Sequence, residues 1–553
     1  MNCIRSVAGL QGLALSLLLA LLAPHAGAQA PAAGAQAPAA DQPPPLRFTV
    51  SAFRVEGDNP LDAARTEQIL APFLGEYAGV EGLYEAASTL EQAFAEAGHS
   101  FRRVVLPAQT LQAGTVVLEV VAFKLGEITV KGNQHFSREN ILRSMPGLVS
   151  GETPQTQLLS QQRHSANLHP SKQIQLRLKE SRTQLAIDAE LEVVDSDPHD
   201  LFVGLNNTGN NATGDFRILG GFQHSNLSGR DDQFTISTTV SPTKIDKVEQ
   251  LGASYALPLY SLGGRLNAYI ATSNVDSGTV QGVFGASDVT GAGRFLGVSY
   301  THFLPRMGAY THQLTAGIDD KRFRNDISNA GQPSGVNVRS RPLSIGYSAS
   351  YEHARGVTGL YASYVRNIPR GPLNDKRNYG NPAGRPAPGN PLGGFSREGS
   401  DPVWDALRFG ASADVRVFDN WLLRWRGDGQ LTTEPLIPGE QFGAGGARSV
   451  RGYEEREVAG DTGWFTSLEA WSPELYPGLR AIGFFDIAHV RNKNIRVTET
   501  KKFTETLSGV GVGVRWYWRT NLSLEADVAR PLSDAGITRD GDYRVHFSTF
   551  YRF

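Results

Sequence analysis

From about Leu201 to the end of the chain, apolar and polar positions alternate along one short segment after another. Between residues 509 and 514 valines alternate with glycines, and between 522 and 528 apolar residues alternate with Ser523, Glu525 and Asp527. Each segment of roughly ten residues therefore has one apolar face and one polar or bare face, as expected where one face meets lipid and the other a lumen. Counting these segments predicts a transmembrane β-barrel of sixteen antiparallel strands.

The predicted connections between the strands alternate in length. Short connections are predicted at 259–264, 304–308, 354–356, 418–420, 472–478 and 519–520, and long ones at 275–291, 324–340, 367–403, 431–462, 491–504 and 531–542. This alternation is typical of an even-stranded barrel that the chain enters from the periplasm. A soluble β-sandwich also alternates, but it rarely carries aromatic residues at both rims, as predicted here for Tyr255, Tyr269, Tyr300, Tyr361, Trp421, Trp464, Trp516 and Trp518.

The preceding part of the chain, 46–197, has the pattern of two small α+β units. Leu83, Ala87, Leu90 and Phe94 fall on one face of a predicted helix, and Ser137 is placed to cap a later one. The order strand, helix, helix, strand, strand occurs over 46–124 and again over 125–197. We interpret the two stretches as an internal repeat, followed by the barrel over 198–553.

The first 45 residues are predicted to lie outside the folded part. Residues 9–23 are apolar, follow Arg5 and end in Ala26-Gly27-Ala28, which predicts a secretory signal peptide over 1–28. A membrane anchor is the alternative. Residues 29–45 read as an Ala/Pro-rich linker. Cys3 is the only cysteine, so cleavage of the signal peptide would leave a chain without disulfides or thiol chemistry.

Composition argues against several kinds of chemistry. A net charge of −2 from 53 basic and 55 acidic residues does not favour a nucleic-acid partner. The histidines lack metal-ligand spacing, and the Gly-Val repeat at 509–513 is not followed by a helix, as a nucleotide-binding loop would be. We therefore predict no enzyme activity, no metal and no cofactor.

One loop stands out from the others. The glycine-rich segment 441–453 ends in Val450-Arg451-Gly452-Tyr453, with aliphatic, cationic and aromatic side chains that a solvated loop would not need. We predict that this loop folds back into the barrel. The competing interpretation is that Arg451 is a solvated loop residue.

An acidic strand supplies a partner for this loop. Alternation places Phe484 and Asp486 on the inward face of one strand, and Glu469 on the inward face of the strand before it. A guanidinium bonds a carboxylate in a bidentate manner, so we predict that Arg451 pairs with Asp486, with Glu469 as a second acceptor. Alternatively, Asp486 is one of many acids in the lumen.

The last predicted strand, 543–553, places Tyr551 and the terminal Phe553 on its apolar face. This strand must pair with the first, because an open sheet edge is not tolerated in lipid. An aromatic terminal residue resembles the signal by which outer-membrane barrels are recognised for assembly.

The two α+β units, the sixteen strands and the Val-Arg-Gly-Tyr loop together resemble the polypeptide-transport-associated (POTRA) barrel superfamily. The particular resemblance is to the two-partner secretion transporters (TpsB, the FhaC/ShlB/HecB family). It implies a Gram-negative outer-membrane barrel with two POTRA modules in the periplasm and the loop 432–462 inside the lumen. Many relatives carry an N-terminal plug helix, which the short Pro-rich linker does not favour.

The resemblance also implies partners and a function. The protein would secrete a TpsA-like exoprotein, such as a haemolysin or haemagglutinin-type adhesin, and would meet lipid, lipopolysaccharide and the barrel-assembly machinery. The first module would capture the client by strand addition, with 101–107 and 80–97 as groove walls; the alternative is that contacts within the module fill this groove. The alternative within the superfamily is an assembly insertase. A passive porin would not need the modules, and a surface protease would need an acid/His cluster. The client, and whether transport activates it, stay open.

Overall fold

The computed structural model describes residues 47–209, 213–245, 248–274, 277–282, 285–290, 292–324, 328–329, 332–333, 336–380, 395–493 and 502–553. The predicted signal peptide, linker and any plug helix lie outside this range. Within it, no helix is both long enough and apolar enough to cross a membrane.

The first α+β unit is a three-stranded sheet covered by two helices. Its elements are β1 (Phe48–Val50), β2 (Ala52–Gly57), α1 (Ala63–Leu70), β3 (Gly75–Tyr77), α2 (Glu81–Glu96), β4 (Arg102–Val105) and β5 (Thr115–Ala122). The sheet has the order β2-β5-β4, while β1 and β3 pair separately. The predicted helical face is buried, with Leu90 and Phe94 packed against the sheet residues Val116 and Leu118. Gly98, at φ +86°, ends α2 as a left-handed cap.

The second unit repeats this arrangement around a core of its own. It contains β6 (Lys124–Lys131), α3 (Arg138–Arg143), α4 (Thr156–Ala166), β7 (Lys172–Glu180) and β8 (Ala186–Asp195), with sheet order β6-β8-β7. In each three-stranded sheet the central strand, β5 or β8, pairs with one neighbour in parallel and with the other antiparallel. The parallel neighbours are β2 and β6, and the antiparallel neighbours are β4 and β7. The Ser137 side chain caps α3 by accepting a hydrogen bond from the Asn140 N–H, as predicted. Phe136, Ile141 and Leu191 form the core.

The described residues from 199 onward form sixteen antiparallel strands that close into a barrel. They are β9 (His199–Asn206), β10 (Arg217–His224), β11 (Gln233–Val240), β12 (Glu249–Leu259), β13 (Gly264–Ser273), β14 (Gly293–Phe303), β15 (Tyr310–Phe323), β16 (Val338–Ser340 and Pro342–His353), β17 (Gly356–Asn367), β18 (Asp405–Arg416), β19 (Leu422–Leu431), β20 (Thr462–Trp471), β21 (Leu479–Arg491), β22 (Thr504–Trp518), β23 (Leu522–Pro531) and β24 (Arg544–Arg552). Arg341 interrupts β16.

Short and long connections lie at opposite ends of the barrel, as the sequence predicts. The second α+β unit contacts the short-turn end, where the Asn140 side chain donates to Gly229 O, and this is the end that the sequence predicts to face the periplasm. The prediction that Tyr269 and Tyr361 lie at the membrane rims is wrong. The hydroxyl groups of Tyr269 and Tyr361 donate to Asp319 and Asp428 at 2.9 and 2.8 Å. Their rings face the lumen because these carboxylates stand on its inner wall.

The barrel closes where β24 pairs with β9, between Ser548–Arg552 and Phe202–Asn206. Beyond that ladder the Asn207 side chain takes the place of a strand, because its Nδ2 donates to Val545 O at 2.7 Å and its Oδ1 accepts from Phe547 N at 2.8 Å. Phe553 N donates to Leu201 O, and its ring is exposed beside that of Tyr551. The backbone of the last residue thus adds one more hydrogen bond between the last strand and the first.

Candidate functional site

The loop that joins β19 to β20, residues 432–461, folds against the inner wall of the barrel. A short hairpin of Phe442–Ala444 with Val458–Gly460 carries its tip inward. Gly445 and Gly446 adopt φ values of +110° and +98°, which side-chain-bearing residues rarely take up. Val450 and Tyr453 are fully buried in a cluster with wall residues that include Leu507. The tip is therefore packed in place.

Arg451 makes a bidentate pair with Asp486 at the bottom of this contact. Nε donates to Oδ2 at 2.7 Å and Nη2 to Oδ1 at 2.8 Å. Asp486 Oδ1 also accepts from the Ser467 hydroxyl at 2.6 Å. The Arg451 side chain is 2% exposed and that of Asp486 is 0% exposed. Removing one member of so buried a pair typically costs about 3–5 kcal/mol, because the other charge is left without compensation.

Two further carboxylates face the same guanidinium. Glu469 Oε1 lies 2.8 Å from Arg451 Nη2, and Asp527 Oδ2 lies 3.4 Å from Nη1. Asp527 is itself held by Arg515 in a bidentate pair at 2.6 and 2.8 Å. Three acids on three different strands therefore converge on one loop arginine, and the tip ties β20, β21 and β23 together.

The neighbouring strand β22 makes room for this cluster. The Arg451 guanidinium stacks on the Phe484 ring at 3.4 Å from its centroid, a cation–π contact. A Cβ on Gly509 would collide with Arg451 O, one on Gly511 with the Phe484 ring, and one on Gly513 with the Asp527 carboxylate. The alternating glycines thus provide the close approach that the loop tip needs.

The last two residues of the motif are bonded to the wall as well. Gly452, at φ +101°, donates its N–H to His546 Nε2 at 3.0 Å on β24. The Tyr453 hydroxyl lies 2.7 Å from Ser533 O and 3.0 Å from Ser508 O.

The base of the loop is anchored separately. Glu440 accepts from Arg408 at 2.9 Å and from the Ser340 hydroxyl at 2.8 Å. Asp461 accepts from the backbone N–H groups of Leu436 and Lys493 at 2.9 and 2.7 Å. Both acids are buried. The loop therefore has anchors at its two arms in addition to the one at its tip.

The structure brings all of the predicted luminal residues together. Val450, Arg451, Gly452, Tyr453, Glu469, Phe484 and Asp486 belong to one cluster, whereas Tyr551 and Phe553 lie on the outer face of the last strand. Sequence reasoning missed Ser467, Asp527, Arg515 and His546. The alternation over 522–528 places Asp527 on the polar, inward face, but nothing in the sequence indicates that the loop tip reaches it. Among the described residues no three His, Cys, Asp or Glu side chains are grouped to hold a metal ion.

The family described as "Haemolysin secretion/activation protein ShlB/FhaC/HecB" matches residues 186–516, and "POTRA domain, ShlB-type" matches residues 48–122. The outer membrane transporter CdiB of Escherichia coli is 22% identical over 430 residues, which cover 77% of this chain and 69% of CdiB. The heme/hemopexin transporter protein HuxB of Haemophilus influenzae is 21% identical over 194 residues, 34% of each chain.

Solved structures share the fold. CdiB from Escherichia coli has a TM-score of 0.72 at 19% identity, covering 94% of this chain and 93% of CdiB. CdiB from Acinetobacter baumannii has a TM-score of 0.67 at 16% identity, covering 92% and 90%. Since the family match spans more than half of the 553 residues, the chain belongs to the ShlB/FhaC/HecB family, the outer-membrane transporters of two-partner secretion, with a POTRA domain in the periplasm.

Proposed function

We propose that the protein is the outer-membrane pore through which one partner exoprotein, of the haemolysin or haemagglutinin type, leaves the cell. The observation that carries this proposal is the loop tip anchored by Arg451 inside a closed barrel that is joined to a periplasmic POTRA domain. No ATP is expected in the periplasm to drive transport. Folding of the client outside the cell would therefore make its transport directional.

The division of the chain follows from the same proposal. Residues 1–28 would be the signal peptide and 29–45 the linker. Residues 46–124 and 125–197 would be two POTRA modules, supported by their shared element order and sheet order. Residues 198–553 would be the transport barrel. Phe553 would be read by the assembly machinery, supported by its exposed ring, and lipid and lipopolysaccharide would surround the outer face.

Capture would begin at a free strand edge of the first module. The predicted edge, β4, has one of its outward groups already in use, because Val104 N donates to Glu91 Oε1 of α2 at 2.7 Å. The other edge of that sheet, β2, borders a cavity of about 540 Å³ that is lined by Phe53, Val55 and Leu70. A client strand would add at β2, or would displace Glu91 to add at β4.

The client can be identified by deletion. We expect mass spectrometry of culture supernatants to show the loss of one large secreted protein when the gene for this chain is removed. An assembly insertase would instead lower the amounts of many outer-membrane barrels, and such a result would contradict the proposal.

Replacing Arg451 by Ala tests the role of the tip. We expect secretion of that protein to fall at least tenfold while the barrel still inserts and shows heat-modifiable migration, because the base anchors Glu440 and Asp461 remain. Arg448→Ala, an exposed arginine in the same loop, is the matched control and should secrete normally. Normal secretion by both Arg451→Ala and Asp486→Ala would remove the proposed mechanism.

A further inference from the structure

The second α+β unit is fixed to the periplasmic rim by a buried ion pair. Lys172 Nζ on β7 contacts Asp231 Oδ2 at 2.5 Å and donates to Asn140 Oδ1 at 2.9 Å. The two side chains of the pair are 0% and 1% exposed. The Tyr260 hydroxyl, from the next periplasmic turn, donates to Asp231 at 2.7 Å. The pair is therefore shielded from water where the unit meets the rim.

Further bonds spread the contact over three periplasmic connections. Arg143 donates to Gly229 O at 2.9 Å, His169 Nε2 lies 2.6 Å from Ser225 O, and Gln161 Nε2 donates to Phe303 O at 2.9 Å. The contact therefore holds α3, α4 and the start of β7 against the barrel from β10 to β14. Contacts at several separate points favour a second unit that stays docked on the barrel.

A cavity of about 330 Å³ lies beside this attachment, between α4 and the periplasmic ends of β14–β16. Its lining includes Gln161, His164 and Ser165 from the α4 side and Gln313, Ser348 and Ser350 from the barrel. On β16 the two serines alternate with exposed, lipid-facing residues such as Leu343 and Ile345, so they belong to the lumen wall. The cavity thus lies between the second unit and the lumen wall.

The anchored loop tip occupies a different part of the wall. Arg451 and Tyr453 contact strands β20–β24 and the connection after β23, whereas the cavity lies at β14–β16. The barrel has sixteen strands, and the two sites are separated by roughly half of its circumference. A chain that enters at the cavity begins on the side away from the tip.

We propose that the exoprotein enters the lumen through this cavity, as an extended chain between α4 and the ends of β14–β16, while the second unit stays docked. The inference rests on the proposed secretion function. The serine and glutamine side chains on both walls can bond any peptide group, and so they suit a client read through its backbone. Arg306 and Glu352 place one positive and one negative charge at the opening. The opening therefore suits acidic and basic client segments alike.

Filling the cavity is the first test. Ser165→Trp and Ser348→Trp should lower secretion of the exoprotein at least tenfold, with normal barrel insertion. Leu158→Trp, exposed on the same helix, and Leu343→Trp, lipid-facing on the same strand, are the matched controls and should secrete within twofold of the parent. Secretion by both cavity variants at the parent level would overturn the entrance.

Locking the second unit is the second test. With Cys3 in the predicted signal peptide, Asn140→Cys and Asn226→Cys would be the only thiols of the mature chain; the two side chains are 3.2 Å apart. We expect oxidation of this pair to a disulfide to leave secretion within twofold of the reduced double variant. Loss of secretion on cross-linking, with the single-cysteine variants unaffected by the oxidant, would show that the unit must move and would refute docked entry. Absence of any secreted client from the parent strain would instead refute the proposed function itself.

Discussion

At the scale of single residues, the acids around Arg451 are not equivalent. Asp486 is fully buried and holds the guanidinium with two bonds, Glu469 provides one contact, and Asp527 lies at 3.4 Å and is shared with Arg515. Exchanging the charges of Arg451 and Asp486 would not restore the site, because the other two carboxylates would then face a carboxylate at the tip.

This inequality predicts a graded response. Tip release should follow the order Asp486→Asn, then Glu469→Gln, then Asp527→Asn. It can be measured as the rate of maleimide labelling of a cysteine at Val450, a position that is fully buried when the tip is docked. Equal labelling rates in all three variants would contradict this view of the cluster, and the parent with only the reporter cysteine sets the baseline.

At the scale of elements, β22 is shaped to receive a side-chain cluster. Its alternating glycines could be read from the sequence as a bare inner face, and the structure shows what fills the space. The remaining wall residues follow the alternation of an ordinary barrel strand.

Gly511→Ala should disturb this fit, because the new methyl group would meet both the Val528 carbonyl oxygen of β23 and the Phe484 ring that stacks on Arg451. Overpacking of this kind typically costs about 1–3 kcal/mol, and we expect faster labelling at Val450 and lower secretion. Gly483→Ala on the neighbouring strand is the control, since an added Cβ there has no atom within 4 Å. An effect of the same size at Gly483 would show that any strand alanine perturbs the barrel.

Much of the fold follows from the sequence because a strand has a period of two. That period gives the number of strands and places Asp486 and Glu469 inward, so the contact of these acids with Arg451 could be predicted from the sequence. The role of this contact in secretion stays a prediction. The sequence prediction assigned Tyr269 and Tyr361 to the rim because it did not consider their partners Asp319 and Asp428, each of which lies on the next strand but one. The docking of Lys172 was missed for the same reason, since the residue reads locally as the start of an ordinary strand.

At the scale of the whole molecule, the periplasmic part and the barrel are joined by groups that respond to pH. His169 Nε2 lies 2.6 Å from Ser225 O and therefore donates to it, while Nδ1 accepts from Ser171 N at 3.2 Å. The docked ring is thus neutral. Burial lowers the pKa of His169, against the opposing effect of Asp231 and with the help of Lys172.

Docking of the second unit should therefore weaken in acid. The pKa of the docked ring lies below the ordinary value of about 6.5, so the undocked state takes up a proton first. Docking free energy is constant above that pH and decreases as the pH falls below it, until the docked ring also protonates. Spin-label distances between α4 and the 304–309 turn, at pH 7.5 and 5, should show a broader distribution in acid. The broadening should be smaller in His169→Gln, and an identical response would exclude the imidazole as its source.

The row of Gly509, Gly511 and Gly513 leaves a barrier only one backbone thick between the anchored arginine and the hydrocarbon. The intervening residues Val510, Val512 and Val514 are exposed on the outer surface, and Arg451 O abuts the Gly509 backbone directly. Release of Arg451 inside the channel can therefore be followed from the bilayer. A fluorophore at Val512, for instance, should change its quenching by quencher-labelled lipids when the guanidinium leaves the wall.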